Sequence, residues 1–403
     1  MKILVVSFYY EPEIGAAPNR ITNLVRGLQD QRNVVDVLTC LPNYPEGKIF
    51  DGYSHRLSMK EQSGNGSIYR YWTYATVSSN AFKRAVAMTS FSIVFWLFGF
   101  HCKRIRGYDL IVVQTPPIFV ACSAVLLFGK LYRKKVLLNV SDLWPGSAIE
   151  LGFIDSSSLA CRVLYSLERF MYRNSAAVIG QSNEILDRVV KLYPDKKTFL
   201  YRNLSPNDSI VTAVREHDNQ RSLKIVYAGL LGIPQDILSL IRNVDFSKFN
   251  AELHLYGGGN QAYAIQKEIE SGKVANVFYH GILKKTDMNK ALTAYDISLI
   301  ALSKSIYGAV PSKIFDILPL GLPILFAGSG EGSRLVLDNG LGLVSEASDF
   351  QGLADNISKF SKMSKEELEV YSYNCKKASK NIFNFQNQIV RFNSFLIAES
   401  EEN

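Results

Sequence analysis

Short apolar runs with little polar alternation recur along both halves of the chain. They occupy residues 2–8, 34–39, 110–114, 136–140 and 177–181 in the first half, and 223–228, 251–256, 277–280, 297–301 and 323–327 in the second. Runs of this kind are typical of strands buried on both faces of a parallel sheet. Helical patterns such as 21–29 and 236–243 lie between them. The sequence therefore predicts an α/β protein with two doubly wound, Rossmann-like domains.

A polar stretch without periodicity, at residues 205–222, separates the two halves. We therefore predict an N-terminal domain of residues 1–205 and a C-terminal domain of residues 206–384, because 403 residues suffice for two cores. The pattern at 382–398 predicts an amphipathic helix. We expect a C-terminal helix at about 385–403 to pack back onto the first domain.

The positive charge of the chain is unevenly distributed. The net charge is +8, and residues 1–200 contain 24 Lys and Arg against 15 Asp and Glu. Such an excess suits nucleic acid, an anionic membrane surface or a phosphate-rich acceptor. Nucleic acid is not expected, since the chain has no zinc-type Cys/His spacing and no recognisable nucleic-acid motif.

The cysteines and the N-terminus bear on the compartment. The five cysteines are scattered and odd in number, as for buried thiols in a reducing environment. The first apolar run is too short for a signal peptide and fits a buried strand. We expect a cytoplasmic protein.

Residues 85–102 form an eighteen-residue run without a charge. Its length would suffice to span a bilayer, but a span would separate strands needed for one sheet. Basic residues on both sides favour an interfacial helix on the inner membrane, and a core helix is the alternative. The interfacial interpretation predicts that Phe91, Trp96 and Phe98 enter the headgroup region. The flanking basic residues are Lys83, Arg84, Lys103 and Arg104.

The segment 302–324 has the most informative chemistry. Pro311 and Ser312 open a predicted helix, with Ser312 as its N-cap and Lys313 in its first turn. Free backbone N–H groups and one cation at the same point suit a diphosphate. Asp316, about one turn further on, can accept hydrogen bonds from sugar hydroxyls. A nucleotide-sugar combines these needs; the alternative is a capped surface helix with solvated charges.

Three further loops follow predicted strands in the second half. Gly229, Gly232 and Gln235 lie where a nucleotide meets the carboxyl edge of a parallel sheet. Gly257 begins a glycine triplet, which is either a simple turn or a second close-approach loop. Ile282 lies in a loop suited to backbone hydrogen bonds with a base edge. No G-x-G-x-x-G occurs, so a nicotinamide cofactor is not expected.

Two loops in the first half carry candidate acceptor groups. Asp142 follows a buried strand and would face a cleft opposite the second domain, where it can orient or deprotonate a hydroxyl. Its alternative role is a helix N-cap, with Pro145 in the first turn. Asn43 and Tyr44 suit hydrogen bonding to and stacking on a sugar. Their alternative is a rigid loop defined by Pro42 and Pro45.

No metal site is apparent. The chain has no H-x-x-x-H, no H-E-x-x-H and no Asp-x-Asp. We therefore expect no cofactor, and Lys313 rather than a divalent ion would stabilise the departing diphosphate.

Several of these segments together resemble a known family. They are Glu11-Pro12-Glu13-x-Gly15, Pro42-Asn43-Tyr44-Pro45-x-Gly47, Asp142-Leu143-Trp144-Pro145 and Pro311-Ser312-Lys313 followed by Gly-x-Pro. They resemble the retaining GT-B glycosyltransferases of family 4, in the branch that makes bacterial O-antigen and capsule and includes WbuB-type L-fucosamine transferases. The resemblance implies two domains facing across a cleft. It also implies transfer of an N-acetyl-fucosamine-like sugar from a UDP donor to a polyprenyl-diphosphate-linked saccharide. It places Gly15 at the donor and Arg20 at the acceptor.

The chain departs from the family pattern in three places. The usual Glu-x7-Glu pair falls on Gly308 and Asp316, so only the second carboxylate remains. The usual Arg/Lys pair after the Gly229 loop is absent, and Lys313 would supply that charge, with Arg202 or Arg20. The Asp142 segment stands where the family has a catalytic His.

Two other functions remain open from the sequence. A UDP-sugar 2-epimerase shares the two-domain fold but needs further acid/base carboxylates and His in the cleft. A non-catalytic scaffold at the membrane surface would keep the fold without chemistry, and UDP binding or donor hydrolysis would distinguish it from both enzymes.

Overall fold

The chain folds into two compact units. The computed structural model describes residues 1–76, 78, 81–99, 102–206 and 222–402. The first unit comprises Met1–Pro206 and Phe385–Asn403, and the second comprises Asn207–Asn384.

A mixed sheet forms the centre of the first unit. Its described strands are β1 (Lys2–Val6), β2 (Val34–Cys40), β3 (Ser58–Ser63), β4 (Gly66–Tyr71), β5 (Leu110–Thr115), β6 (Val136–Val140), β7 (Ala177–Gly180) and β8 (Lys197–Leu200). Their order in the sheet is β3-β4-β2-β1-β5-β6-β7-β8. All described pairs are parallel except the hairpin of β3 and β4.

Helices cover both faces of this sheet. They are α1 (Ala16–Asp30), α2 (Ala81–Val94), α3 (Trp96–Gly99), α4 (Cys102–Arg106), α5 (Ile118–Ala124), a π-helix (Val125–Leu131), α6 (Gly146–Glu150), α7 (Leu159–Asn174), α8 (Asn183–Leu192) and, from the end of the chain, α16 (Phe385–Glu401). Ile3 and Val5 pack with α1 and α16, whereas Leu4 and Val6 pack against the helices of the other face. This alternation explains why the strand is apolar throughout.

The second unit is also doubly wound. Its described strands, β9 (Leu223–Ala228), β10 (Ala251–Tyr256), β11 (Val277–Tyr279), β12 (Ile297–Ala301), β13 (Ile324–Ala327) and β14 (Gly342–Ser345), form a parallel sheet in the order β11-β10-β9-β12-β13-β14. Its helices are α9 (Ile237–Asn243), α10 (Ala262–Glu270), α11 (Lys285–Leu292), α12 (Lys313–Ile317), α13 (Glu331–Asp338), α14 (Phe350–Lys362) and α15 (Lys365–Asn381), with 3₁₀ turns at Phe246–Phe249 and Leu318–Leu320.

The C-terminal helix α16 packs on α1 within the first unit. A Cβ at Gly27 of α1 would lie 2.8 Å from Cγ1 of Ile389, so the two helices approach closely there. The Gln388 side chain accepts from the Arg202 N–H at 2.9 Å and donates to the Arg202 carbonyl at 3.0 Å. These contacts attach the end of the chain to the first sheet.

The interfacial interpretation of residues 85–102 is wrong for two of its three aromatic residues. Phe91 and Phe98 are 0% exposed and belong to the core of the first unit. The segment is divided among short helices, and in the described part of the chain no helix is long and apolar enough to cross a membrane. Arg104 lies 4.6 Å from the ring centre of Tyr69, so it packs on a core aromatic. Lys83 is exposed, and the side chains of Arg84 and Lys103 lie outside the described residues.

Candidate active site

The four loops predicted to bind a nucleotide lie at one edge of the second sheet. Strands β11, β10, β9 and β12 are neighbours and parallel, so their carboxyl ends meet at that edge. The loops also bond to one another: Gly229 N–H donates to Tyr256 at 2.9 Å, and Gly257 N–H donates to Gly281 at 2.8 Å. A Cβ at Gly257 would overlap the Gly229 carbonyl, so a side chain is excluded there by loop packing.

Lys313 reaches this edge from the start of α12. Its Nζ donates to the Tyr227 hydroxyl at 2.8 Å and lies 4.0 Å from the centre of that ring. Gly229 leaves the space for it, since a Cβ there would lie 2.2 Å from the Lys313 Nζ. Burial lowers the pKa of Lys313 to about 7, although the charge of Asp316 opposes this shift. An anionic ligand would restore the charged form.

The helix that begins at Lys313 is short. Ser312 occupies the N-cap position, as predicted, but its side chain makes no capping hydrogen bond, and α12 ends at Ile317. A helix of little more than one turn contributes only a small dipole. The positive charge at this point therefore belongs to the Lys313 side chain. Asp316 is exposed on the same helix, and Ile282 is 78% exposed in the β11 loop.

Gln235 borders a small concavity beside these loops. The open space is about 280 Å³ and is lined in part by Asp236, Ser303 and Asp349. The Gln235 Oε1 is buried without a hydrogen-bond partner among the described residues. The Asp236 N–H donates to the Gly232 carbonyl at 3.0 Å. This bond closes the loop that carries the predicted residues Gly232 and Gln235. The unpartnered Gln235 Oε1 can accept a hydrogen bond from an N–H or O–H group of a ligand.

Glu331 is a candidate that the sequence reasoning missed. It begins α13 after strand β13, next to β12 in the sheet, and is 3% exposed. A carboxylate in a first helical turn is stabilised by the helix N-terminus. The sequence feature that could have identified Glu331 is the pair Gly330-Glu331, which begins three residues beyond the predicted strand 323–327.

In the first unit, Glu13 joins the loop after β1 to the predicted acceptor loop of Asn43 and Tyr44. Its Oε1 accepts from the Asn43 N–H at 2.8 Å and the Tyr44 N–H at 2.9 Å, and its Oε2 accepts from the Tyr10 N–H at 3.3 Å. Burial raises the pKa of Glu13 despite these three donors. The sequence reasoning placed Glu13 in a motif but gave it no role. The sequence feature that could have drawn attention to Glu13 is its position two residues before Gly15 in the same motif.

A concave pocket lies beside the two loops that Glu13 joins. Its open space is about 390 Å³, and its lining residues are Phe8, Tyr9, Asn43, Tyr44, Gly47, Thr76, Ala87 and Met88. The carboxamide NH₂ of Asn43 donates to the Leu41 carbonyl at 2.9 Å, so Asn43 stabilises its own loop. The Tyr44 ring is partly exposed and lies 5.6 Å from the Tyr9 ring. A Cβ at Gly15 would lie 3.1 Å from the Tyr44 ring, so Gly15 packs closely against one of the residues that line this pocket.

Asp142 lies two residues beyond the end of β6. Its Oδ2 accepts from the Ser147 hydroxyl at 3.0 Å, and its Oδ1 is buried without a partner among the described residues. Burial raises the pKa of Asp142, and the nearby Glu150 acts in the same direction. Pro145 occupies the N-cap position of α6, so the alternative role of Asp142 as that cap is wrong. Asp142 retains one carboxylate oxygen for a ligand.

Arg20 lies in the interior of the first unit, which is contrary to its predicted contact with the acceptor. It is 2% exposed, and its Nη2 donates to Asn139 at 2.7 Å and to the Tyr201 carbonyl at 3.1 Å. Burial lowers the pKa of Arg20 to about 10. Its position on the inner side of α1 directs the side chain toward β6 and away from solvent. Arg20 therefore links α1 to the sheet.

Comparison with known proteins identifies the class of enzyme. Residues 15–200 match the family model of a glycosyl transferase 4-like domain. The chain is 23% identical over 337 residues to a protein described as the colanic acid biosynthesis glycosyl transferase WcaI of Escherichia coli strain K12, covering 80% of this chain and 82% of the relative. It is 27% identical over 266 residues to a protein described as the glycosyltransferase WbjE of Pseudomonas aeruginosa, covering 62% of this chain and 66% of the relative.

Solved structures show the same fold. The sucrose-phosphate synthase of Thermosynechococcus elongatus has a TM-score of 0.72 at 14% identity, covering 98% of each chain. Anabaena HepE in complex with UDP-glucose has a TM-score of 0.66 at 14% identity, covering 99% of this chain and 100% of that one. The protein is a glycosyltransferase of GT-B fold. The fold and enzyme class predicted from the sequence are confirmed.

The family match and the structural likeness cover different parts of the glycosyltransferase. Residues 15–200 contain Asn43, Tyr44 and Asp142, whereas Gly229, Lys313 and Asp316 lie beyond the matched range. The likeness to solved structures extends over nearly the whole chain. Among the described residues, no three His, Cys, Asp or Glu side chains form a group that could hold a metal ion.

Proposed function

We propose that this glycosyltransferase moves a sugar from a UDP donor to a lipid-diphosphate-linked saccharide. The reaction belongs to the synthesis of bacterial O-antigen or capsule, proceeds with retention and requires no metal ion or other cofactor. The enzyme works on the cytoplasmic face of the inner membrane as a peripheral protein.

The position of Lys313 beside Gly229 is the main observation that supports the proposal. A largely buried ammonium 2.8 Å from the Tyr227 hydroxyl has less hydration to lose than an exposed lysine when it meets a diphosphate. Gly229 and Gly257 lie in neighbouring loops at the same edge of the sheet, so backbone rather than a side chain would meet a ligand there. HepE, which shares the fold, has been solved with UDP-glucose. These features support a UDP-sugar donor, with Asp316 on the ribose.

Retention requires the diphosphate to leave on the face that the acceptor hydroxyl attacks. Negative charge builds on the departing oxygen, and Lys313 stabilises it by donating a hydrogen bond. Asp142 orients the acceptor hydroxyl through its unpartnered Oδ1, and its raised pKa suits transient proton acceptance. The nucleotide site and the acceptor group thus belong to different units of the chain.

The sugar and acceptor are proposed from motifs and relatives together. The Pro-Asn-Tyr-Pro and Asp-Leu-Trp-Pro segments resemble transferases of N-acetyl-L-fucosamine, and one relative is described as a colanic acid enzyme. The pocket beside Tyr44 is lined by the aromatic residues Phe8, Tyr9 and Tyr44, which offer rings on which a sugar can stack. The positive excess of the N-terminal half suits a diphosphate lipid in an anionic membrane.

The variant Asp142→Asn tests this division of roles. We expect transfer to the acceptor to fall by at least about a hundredfold, the scale of losing a general base, while UDP affinity stays within twofold. Asp195→Asn, an exposed carboxylate of the same unit, is the control and should leave both unchanged. Loss of UDP affinity together with transfer would place Asp142 at the donor and contradict the proposal.

A further inference from the structure

Two carboxamide side chains lie side by side inside the sheet of the first unit. Gln114 of β5 and Asn139 of β6 are partners in the register of these parallel strands. They are 4% and 0% exposed, in strands whose other residues are mostly apolar. A carboxamide without partners would be costly at such a position, so the hydrogen bonds of both side chains indicate what they do.

The two carboxamides belong to a chain of hydrogen bonds that runs from α1 to the end of β6. The Arg20 Nη2 donates to the Asn139 Oδ1 at 2.7 Å, and the Asn139 Nδ2 donates to the Gln114 Oε1 at 2.8 Å. The Gln114 Nε2 then donates to the Ser141 hydroxyl oxygen at 2.8 Å. Arginine has donors and no acceptor, so Arg20 sets the direction of every bond that follows. Buried hydrogen bonds in series also strengthen one another.

The hydrogen-bond chain ends on the residue that precedes Asp142. The Ser141 N–H and hydroxyl both donate to the Thr115 carbonyl, at 3.0 and 3.4 Å, and the Ser141 carbonyl accepts from the Gln181 side chain. The ends of the two strands that flank β6 therefore hold Ser141 from both sides. The Asp142 Oδ2 accepts from Ser147, while the Oδ1 is buried without a partner among the described residues. Ser141 thus fixes the backbone from which this unpartnered oxygen extends.

Stability alone does not account for the hydrogen-bond chain. A buried polar network can often be replaced by apolar side chains of similar size without a loss of stability. The cation at its start is also incompletely satisfied, because the Arg20 Nε and Nη1 are buried without hydrogen-bond partners in the described part of the protein. Buried donors without partners destabilise a folded chain. A network that has this cost and leads to a single loop is better suited to positioning that loop than to stabilising the fold.

We propose that the hydrogen-bond chain from Arg20 to Ser141 positions the Asp142 carboxylate against the acceptor hydroxyl. This inference rests on the proposed function and adds the residues that hold Asp142 in place. The side chains of Arg20, Asn139 and Gln114 are at most 4% exposed, so they act through Ser141 and not by contact with a substrate.

Three substitutions interrupt the hydrogen-bond chain at different points. Ser141→Ala removes its last acceptor, Gln114→Met removes a link in the middle, and Arg20→Met removes the cation at its start. We expect kcat for transfer to fall about ten- to hundredfold in each variant, the scale of misplacing a reacting group by about 1 Å. UDP affinity should stay within twofold. In an Asp142→Asn background the same substitutions should lower kcat by less than a further twofold, because the group that they position is already lost.

Two comparisons separate positioning from general packing. Arg20→Lys keeps a cationic donor and should recover most of the kcat lost in Arg20→Met. Ser175→Ala removes a buried hydroxyl of the same unit, which donates to the Tyr172 carbonyl at 3.1 Å, and should change kcat by less than twofold. Losses that multiply fully with that of Asp142→Asn would overturn the assignment, and so would a loss in Ser175→Ala equal to that in Ser141→Ala.

The titration of Asp142 tests the assignment without a transfer assay. Burial raises the pKa of this carboxyl in the wild-type chain. Release of the loop would hydrate the carboxyl, so we expect its pKa to be lower in Ser141→Ala, as followed by carboxyl-carbon NMR with Asp142→Asn for assignment. A lowered pKa, with no transfer by the wild-type enzyme, would support the positioning role and refute the proposed function alone. An unchanged pKa in all three chain-breaking variants would overturn the positioning role and leave the proposed function standing.

Discussion

Lys313 combines burial, a neutral hydroxyl partner and a lowered pKa. Its ammonium meets the Tyr227 hydroxyl and ring, and the nearby charge of Asp316 offsets only part of the effect of burial. Its pKa is about 7 in the folded chain and about 10.4 in an unfolded one. Between these values the unfolded state binds more protons, so this group makes the free energy of unfolding rise with pH from about 7 to about 10.

The substitution of Lys313 by Met tests its contact with the diphosphate. Met keeps the length of the side chain and removes the charge. We expect kcat to fall by about two orders of magnitude or more, the scale of losing one transition-state donor. UDP binding at pH 8 should take up protons in the wild-type chain, because the diphosphate favours the charged lysine. This uptake should vanish in Lys313→Met, as measured by calorimetry in buffers of different ionisation enthalpy.

Lys304→Ala provides the control for this experiment. Lys304 is exposed in the loop between β12 and α12 and should change neither kcat nor proton uptake. Proton uptake by Lys313→Met equal to that of the wild-type chain would exclude Lys313 as the diphosphate ligand.

At the scale of elements, the proposed acceptor pocket depends on how two loops are held together. The loop after β1 and the loop after β2 share a single carboxylate, Glu13, which accepts three backbone hydrogen bonds. Arg70 of β4 secures the first loop again by donating to the Glu11 carbonyl at 2.6 Å. The position of Tyr44 therefore depends on the hydrogen bonds of Glu13 and Arg70, which do not line the pocket themselves.

Loss of the Glu13 carboxylate should loosen acceptor binding without affecting the donor. We expect Glu13→Ala to raise KM for the acceptor about tenfold, since buried N–H groups left unpaired cost about 1–3 kcal/mol each. UDP affinity should stay within twofold, and Glu13→Gln should recover most of the loss by accepting two of the bonds. Initial rates at varied acceptor concentration measure this split.

Glu46→Ala removes an exposed carboxylate from the same loop and should have no effect. A fall in kcat at saturating acceptor, with KM unchanged, would contradict a positioning role for Glu13.

The sequence predicted those elements whose burial is reflected in their amino-acid composition. Strands such as β7 and β13 are buried on both faces and have continuous apolar sequences. The edge strand β3 (Ser-Met-Lys-Glu-Gln-Ser) alternates exposed and half-buried residues and carries no such run, so it was missed. The uncharged stretch 85–102 gave no indication of which face meets the core. Packing of Phe91 and Phe98 against the sheet decides that question.

At the scale of the whole molecule, the chain divides its chemistry between two units. The second unit carries the proposed nucleotide loops and Lys313, while the first carries Glu13, Tyr44, Asp142 and the excess of positive charge. The loop edges were predictable because parallel strands bring their carboxyl ends together. The structural role of Arg20 was not predictable, because its burial depends on the contact of α1 with β6 and Tyr201.

The central claim is transfer from a UDP-sugar to a lipid-diphosphate saccharide. The most direct measurement incubates the enzyme with a panel of UDP- and GDP-sugars and a polyprenyl-diphosphate-linked acceptor, with and without EDTA, and identifies the product by mass. The account predicts an acceptor heavier by one sugar, formed from a UDP-linked amino sugar at the same rate with the chelator present. No glycosylated product from any UDP-sugar, or activity lost to EDTA and restored by magnesium or manganese, would contradict it.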